Sequence, residues 1–138
     1  MLYLEIITPD GVAWKSERVE SVSLPTRSGE IRILQGHIPL VSILEAGEIK
    51  AVVGGKTENL AVDKGYIRCV SDTVSVLTEA AIEVGNIDLE SVEKAKARAL
   101  ETLEKYKKTR EADPAEIERL ESTIRFAIAQ QLSKKNKR

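Results

Sequence analysis

Few side chains in this 138-residue sequence have the types and spacing that reactive chemistry needs. Gly54-Gly55-Lys56-Thr57 ends like a phosphate-binding loop. Such a loop requires G-x-x-x-x-G-K-[ST], because the backbone N–H groups of the whole turn wrap the phosphates. Lys50 stands five places before Gly55, where the first glycine belongs, so the segment reads more simply as a hairpin turn. His37 is the one histidine, and no G-x-S-x-G elbow marks a nucleophile for it to serve. Cys69 is the one cysteine, which excludes an internal disulfide and, with a single histidine, a Cys/His zinc site from this chain alone. Glu45 and Glu48 read as ordinary surface carboxylates. No catalytic or metal site emerges, and nothing makes a case for an enzyme acting alone.

The most specific stretch runs from Gly29 through Glu30, Gly36, His37 and Pro39 to Leu40. A strand ends at Leu34, Gly36 turns the chain, and Pro39 holds it extended. Two readings stay open at this point. His37 satisfies a backbone carbonyl inside a sandwich loop, or the glycine–proline frame displays it as a contact surface.

The elements that must position this stretch divide at a change of period. Up to about residue 84 the apolar residues alternate in short runs, as half-buried strands do. Leu2, Leu4 and Ile6 share one face, as do Val22 and Leu24, Ile31 and Ile33, and Ile49, Ala51 and Val53. Leu60 and Val62 follow, Tyr66 and Val70 oppose Ile67 and Cys69, and Val74 and Val76 close the series. Turn chemistry at Pro9-Asp10-Gly11, Ser28-Gly29, Gly54-Gly55, Asp63-Lys64-Gly65 and Ser71-Asp72 separates them. Residues 1–85 therefore read as a β-sandwich.

Residues 86–138 read as a helical hairpin. Leu89, Val92, Ala95, Ala99, Leu103 and Tyr106 recur at steps of three and four behind an Asp88 N-cap. Lys107, Lys108 and Arg110 load the last turn with the charge that suits a helix C-terminus. Asp113 and Pro114 form the break, as N-cap and first residue of a second helix, with Glu116 in capping-box position. Ile117, Leu120, Ile124, Ala127 or Ile128, and Leu132 make its stripe, and the tail from Lys134 to Arg138 is expected to fray. The fold class is thus α+β, an antiparallel sandwich followed by an αα-hairpin.

Charge follows the same boundary. Residues 1–87 carry 8 basic against 12 acidic side chains, and residues 88–138 carry 13 against 10. The helical arm is therefore the half suited to an acidic partner. A net charge of -1 and a pI near 6.0 argue against a dedicated nucleic-acid binder. No apolar run reaches the roughly 20 residues that span a bilayer, and Glu5 and Asp10 do not fit a signal peptide. The expectation is a soluble intracellular protein.

The segment GEIRILQGHIPLVSILEAGEI resembles the G-E-x-x-I-x-x-G-H-x-P-L-x-x-x-L-x-x-G signature of the epsilon subunit of F-type ATP synthases. The resemblance extends over the whole chain, through L-x-I-x-T-P-D-G at the start, the Gly65-Tyr66 strand, V-x-V-L-T-E-A-A and the terminal hairpin. It implies a flattened sandwich of about ten strands that clamps the gamma subunit of the central stalk and rests on the ring of c subunits. Glu30, Gly36, His37 and Pro39 match the positions whose loops meet the ring and gamma. The alternative reading of Glu30 is a solvated strand-end carboxylate.

The resemblance also implies a noncatalytic rotor subunit that couples proton flow to ATP synthesis, held peripherally at the cytoplasmic face of the bacterial plasma membrane by its partners. The helical arm matches a regulatory element that lies folded beside the sandwich or extends along gamma to the acidic lever of the catalytic beta subunits, restraining hydrolysis. As one continuous helix, residues 88–133 would reach about 70 Å at about 1.5 Å per residue. Asp113 and Pro114 are the expected hinge. Lys94, Lys96, Arg98, Arg119, Arg125, Lys134 and Lys135 are the candidate contacts to the lever, though each alone reads as a solvated face or an ion-pair partner such as Glu101–Lys105.

Some family members bind ATP in the folded hairpin through [I/L]-D-x-x-R-A and later arginines. Here Ile87 and Asp88 match, but Ser91 and Val92 replace the Arg and Ala, and Phe126 and Gln130 stand where two further arginines belong. Arg98 and Arg125 lie nearby. Without guanidinium forks the expectation is no bound cofactor and no tight ATP binding. The rival function is a sandwich-plus-hairpin interaction module outside any rotary machine. The order of Glu30, Gly36, His37 and Pro39 favours the rotor subunit.

Overall fold

A computed structural model describes residues 1–108 and 113–136. It contains nine strands: β1 (Leu2–Thr8), β2 (Gly11–Thr26), β3 (Gly29–Leu34), β4 (Leu40–Leu44), β5 (Gly47–Val53), β6 (Lys56–Val62), β7 (Gly65–Val70), β8 (Thr73–Thr78) and β9 (Ala81–Glu83). A 3-10 turn at Val84–Asn86 leads to α1 (Leu89–Lys108) and α2 (Pro114–Asn136).

The strands form two layers joined by β2. The first half of β2 pairs with β1, which runs parallel to β8, and the layer continues through β7 to β4. After a register shift between Val19 and Ser21, the second half of β2 lies between β3 and β5, followed by β6 and β9. One sixteen-residue strand thus serves both layers, which is why nine strands fill the place of about ten.

The alternation read from the sequence is the alternation of burial. Leu2, Leu4, Ile6, Val22, Leu24, Ile33, Ile49, Ala51, Leu60, Val62, Ile67, Cys69, Val74 and Val76 are all buried between the layers, joined by Val19 and Leu44. Each buried Leu, Ile or Val contributes roughly 1.5–3 kcal/mol from leaving water. No described residue beyond Ala81 belongs to this core, so the sandwich does not need the hairpin to close it. The Gly54-Gly55 segment is the β5–β6 turn, with both glycines at positive φ (59° and 77°).

Asp88 caps α1, its carboxylate accepting from the Glu90 N–H at 3.1 Å and the Ser91 hydroxyl at 2.9 Å. The Ser91 bonds, side chain first, hold that carboxyl below the usual range. Asp113 caps α2 and Pro114 is its first residue, as the sequence predicts. Arg110 lies outside the described residues.

Two expectations need correction. The tail is helical further than expected: α2 continues to Asn136, and the Lys134 ammonium donates to the Val84 carbonyl at 3.2 Å, while Lys137 and Arg138 lie outside the described residues. The apolar stripes also shift. Val92, Ala99 and Leu103 are buried on α1, but Leu89 is 45% exposed. Among the described residues of α2, Ala127, Ala129 and Ser133 are buried and Ile117, Leu120 and Ile124 half-buried, while Ile128 and Leu132 are exposed. The reason is that α2 packs against both α1 and the β5–β6 side of the sandwich, so small residues occupy its closest approach.

Candidate functional site

The loop after β3 is built, not loose. Gly36 takes a φ of 84°, and its N–H donates to the Asp72 carboxylate at 2.8 Å. Asp72 occupies the β7–β8 turn, where Ser71 and Asp72 themselves hold positive φ (52° and 61°), a conformation that Asp tolerates. The His37 N–H donates to the Leu34 carbonyl at 3.1 Å, and its Nδ1–H donates to the Ile38 carbonyl at 2.6 Å. The half-buried imidazole therefore braces the turn while Ile38 stands 75% exposed at its tip.

Glu30 is not part of that loop. It is exposed at the opposite end of β3, paired in register with Pro25 and next to the Arg27–Glu45 ion pair (3.6 Å). Four strand residues, Ile31 to Leu34, and Gln35 separate Glu30 from Gly36, up to about 20 Å of chain at about 3.3 Å per step. The four motif residues are thus divided between the two ends of one edge strand.

The outer face of the β1–β8–β7–β4 layer carries a feature the motif residues do not announce. Val12, Ile7, Leu77, Tyr66 and Ile43 stand opposite one another in register, one per strand, as an apolar row across five strands. Val12, Leu77, Tyr66 and Ile43 are 56%, 49%, 62% and 39% exposed. The next row, Lys15, Glu5, Ser75, Arg68 and Val41, is mostly polar and ends on the exposed Val41. An apolar band with a charged rim is the composition of a protein-binding surface.

The candidate lever contacts of the arm fall into three groups. Arg125 and Lys134 face the sandwich, held by Asp63 and by the Val84 carbonyl. Lys96 donates to Gln131 across the hairpin at 3.2 Å. Lys94 pairs with Glu90 (3.2 Å) and Arg119 with Glu116 (3.1 Å) on exposed faces, and Arg98 and Lys135 are exposed. Glu101 and Lys105 do pair, at 3.8 Å. The folded hairpin does not gather these cations onto one surface.

Residues 1–84 match the sequence model of the ATP synthase delta/epsilon chain β-sandwich domain. Full-length relatives agree: the ATP synthase epsilon chains of Staphylococcus aureus strains JH9 and N315 are each 36% identical over 128 residues, covering 91% of this chain and 96% of the relative. The chain belongs to the ATP synthase epsilon family. As a family member it is a noncatalytic subunit, not an enzyme in its own right. The fold also matches a chain of the Euglena gracilis mitochondrial ATP synthase OSCP/F1/c-ring structure, with a TM-score of 0.70 at 22% identity over 95% of this chain and 79% of that one. A chain of the Tetrahymena thermophila mitochondrial ATP synthase central stalk/c-ring structure matches over 62% of this chain and 68% of its own, with a TM-score of 0.52 at 11% identity.

The epsilon-family nucleotide motif can be tested against the cleft it would need. Ser91, Phe126 and Gln130, the three residues at its missing arginine positions, do line one cleft of about 470 Å³ between hairpin and sandwich. Its charged lining is Asp63, Glu79 and Arg119, two carboxylates to one guanidinium, and Arg119 is engaged by Glu116. This donor set does not fit a polyphosphate, which needs converging cations or N–H groups. Ile87 is buried beneath the hairpin, and Asp88 serves the α1 cap.

The sequence reading missed the apolar row and Asp72. The row had a signal: Tyr66 and Val70 oppose Ile67 and Cys69, so β7 is apolar on both faces though one looks outward. Asp72 had none, because its bond to Gly36 joins turns 36 residues apart.

Proposed function

We propose that the chain is a rotor subunit of an F-type ATP synthase, seated by its sandwich on the gamma subunit and the c-subunit ring and carrying a helical arm that restrains ATP hydrolysis by the catalytic beta subunits. The observation that carries this reading is the exposed apolar row Val12–Ile7–Leu77–Tyr66–Ile43 in a chain of the epsilon family. A subunit working alone gains nothing from five apolar side chains in register on a solvent face, whereas gamma would bury them. The loop at Gly36, His37 and Pro39 borders the opposite end of the same layer, at the β7–β8 turn, and would add a second contact there. Glu30, at the far end of β3, is the carboxylate offered to a basic loop of the ring. Torque transfer needs a rigid seat, and the Asp72–Gly36 tie supplies rigidity where the loop meets the layer.

The arm is separable from the seat. Among the described residues the sandwich core contains none from the helices, and the hairpin rests on it mainly through α2. It can therefore lift without opening the sandwich, with Asp113 and Pro114 at the break between its helices. In the extended form Lys94, Lys96, Arg98, Arg119, Arg125, Lys134 and Lys135 would be presented to the acidic lever. No helix among the described residues is long and apolar enough to cross a membrane. Attachment at the cytoplasmic face of the bacterial plasma membrane, and coupling to proton flow, would come through gamma and the ring.

Add-back of the full chain, or of residues 1–87, to a catalytic complex stripped of it tests the division into seat and brake. Nucleotide does not enter this scheme. A titration of the isolated chain with ATP is expected to show no binding below about 1 mM, and a submillimolar Kd would overturn that statement.

A further inference from the structure

We propose that Asp63 is the catch of a latch that holds the hairpin closed on the sandwich and keeps Arg125 occupied until the arm lifts. Asp63 lies in the β6–β7 turn, and its side chain is 1% exposed. The sandwich fixes its backbone: its N–H donates to the Ala80 carbonyl at 2.9 Å, and its carbonyl accepts from the buried Thr78 hydroxyl at 2.8 Å. The carboxylate accepts four hydrogen bonds. One comes from the Lys64 N–H of its own turn at 2.8 Å. The other three come from α2: Arg125 Nε at 2.6 Å, Arg125 Nη2 at 3.2 Å and the Ser122 hydroxyl at 2.5 Å. Burial works against the charge of Asp63, but these bonds outweigh it and hold the carboxyl below its usual range.

The rest of the interface explains why one such group matters. The apolar cluster between hairpin and sandwich is small, made of Ala61, Val84, Ile87, Val92 and Ala127, with Ile82 and Phe126 at its border. Ala61 and Ala127 are short side chains, so this contact allows close approach but contributes little area. Glu118, Ser122 and Arg125 recur at steps of four and three on one face of α2, and all three bond to the β6–β7 turn, Glu118 through the Lys64 ammonium at 2.9 Å. The Lys64–Glu118 pair is half exposed at both ends and is worth little. The Asp63–Arg125 pair differs, because removing one partner strands the other charge at a buried site in the closed form alone. In the open form both groups reach water.

Its regulatory consequence rests on the arm's braking role: Arg125 cannot meet the acidic lever while it holds Asp63. The latch itself is tested on the isolated full-length chain, so its failure and the failure of the brake are told apart. Ala61→Cys places a thiol under the hairpin, where Ala61 is fully buried, while native Cys69 stays in the sandwich core as an internal reference. Maleimide labelling of position 61 then reports opening. Arg125→Met, which leaves the sandwich untouched, is expected to raise that rate about ten- to a hundredfold with Cys69 unchanged. Asp63→Asn should act in the same direction, and the double variant should open less than Arg125→Met alone, because no charge is then stranded. Lys64→Ala should change the rate by less than about threefold. An unchanged rate in Arg125→Met overturns the proposal. So does a double variant equal to the product of the singles, or a parallel rise at Cys69.

Discussion

Alanine at position 65 is expected to cost about 3 kcal/mol or more of sandwich stability, read as a fall in the urea midpoint with an unchanged slope. A Cβ at Gly65 would lie 1.8 Å from the Leu77 carbonyl oxygen, 2.8 Å from its carbon and 2.9 Å from the Thr78 Cα. These are backbone atoms of the paired strand, so no side-chain rotation relieves the contact. β7 and β8 would have to separate where Gly65 meets Thr78 and Tyr66 meets Leu77, in the middle of the layer that carries the apolar row. Gly85 is the control: a Cβ there meets nothing within 4 Å, and Gly85→Ala should move the midpoint by less than about 0.5 kcal/mol. A Gly65→Ala protein as stable as the parent would show that the β7–β8 approach is wrongly drawn.

Tyr66→Asp is expected to leave the sandwich folded and to weaken binding to the gamma subunit about thirtyfold or more. Tyr66 is 62% exposed, so its ring contributes little to the core, and a carboxylate there is solvated in the free chain. On a partner, the same carboxylate would sit between Leu77 and Ile43 with no water and no donor on this chain in register beside it. Titration of the gamma subunit with parent and variant reads the effect, and the urea midpoint checks the fold. An affinity within about threefold of the parent would remove the apolar row from the interface.

These two residues also mark where sequence reasoning works and where it stops. Alternation identified Leu2, Leu4, Ile6, Ile67 and Cys69 as one core because burial on one sheet face imposes period two. The αα-hairpin was equally legible from its caps, Asp88 and Asp113, whose side chains act within three residues of themselves. Gly65, by contrast, reads in sequence as the end of an Asp63-Lys64-Gly65 turn. Its actual constraint is the approach of β8, a contact between residues 12 apart that no local signal encodes. The first half of β2 is similar. Lys15, Ser16, Glu17 and Arg18 carry no apolar alternation, and the pairing of this segment with β1 makes it strand.

The candidate site divides in the same way. The motif residues Glu30, Gly36, His37 and Pro39 were legible as a pattern, but their separation to the two ends of β3 follows from strand length, not from the motif. Arg125 was legible as a cation on a helix. Its bond to Asp63, 62 residues away, converts it from a free contact into part of the closed arm. Helical periodicity predicts the α2 stripe through Ile117, Leu120, Ile124 and Ala127 but not beyond, for a related reason. A helix that packs against both α1 and the sandwich leaves Ile128 and Leu132 exposed in an open groove between Leu100 and Leu103 of α1 and the β4–β5 turn.

The central claim is that the sandwich is the seat and the hairpin is the brake. The most direct measurement is the ATP hydrolysis rate of the catalytic complex stripped of this chain, after saturation with the full chain or with residues 1–87. Both should bind, because the apolar row and the sandwich core lie entirely before residue 82. The full chain should lower the rate several-fold, and residues 1–87 should leave it within about 20% of the stripped complex, since a brake that has lost both helices has nothing to present to the lever. Equal inhibition by the two forms, or binding by neither, would contradict the account.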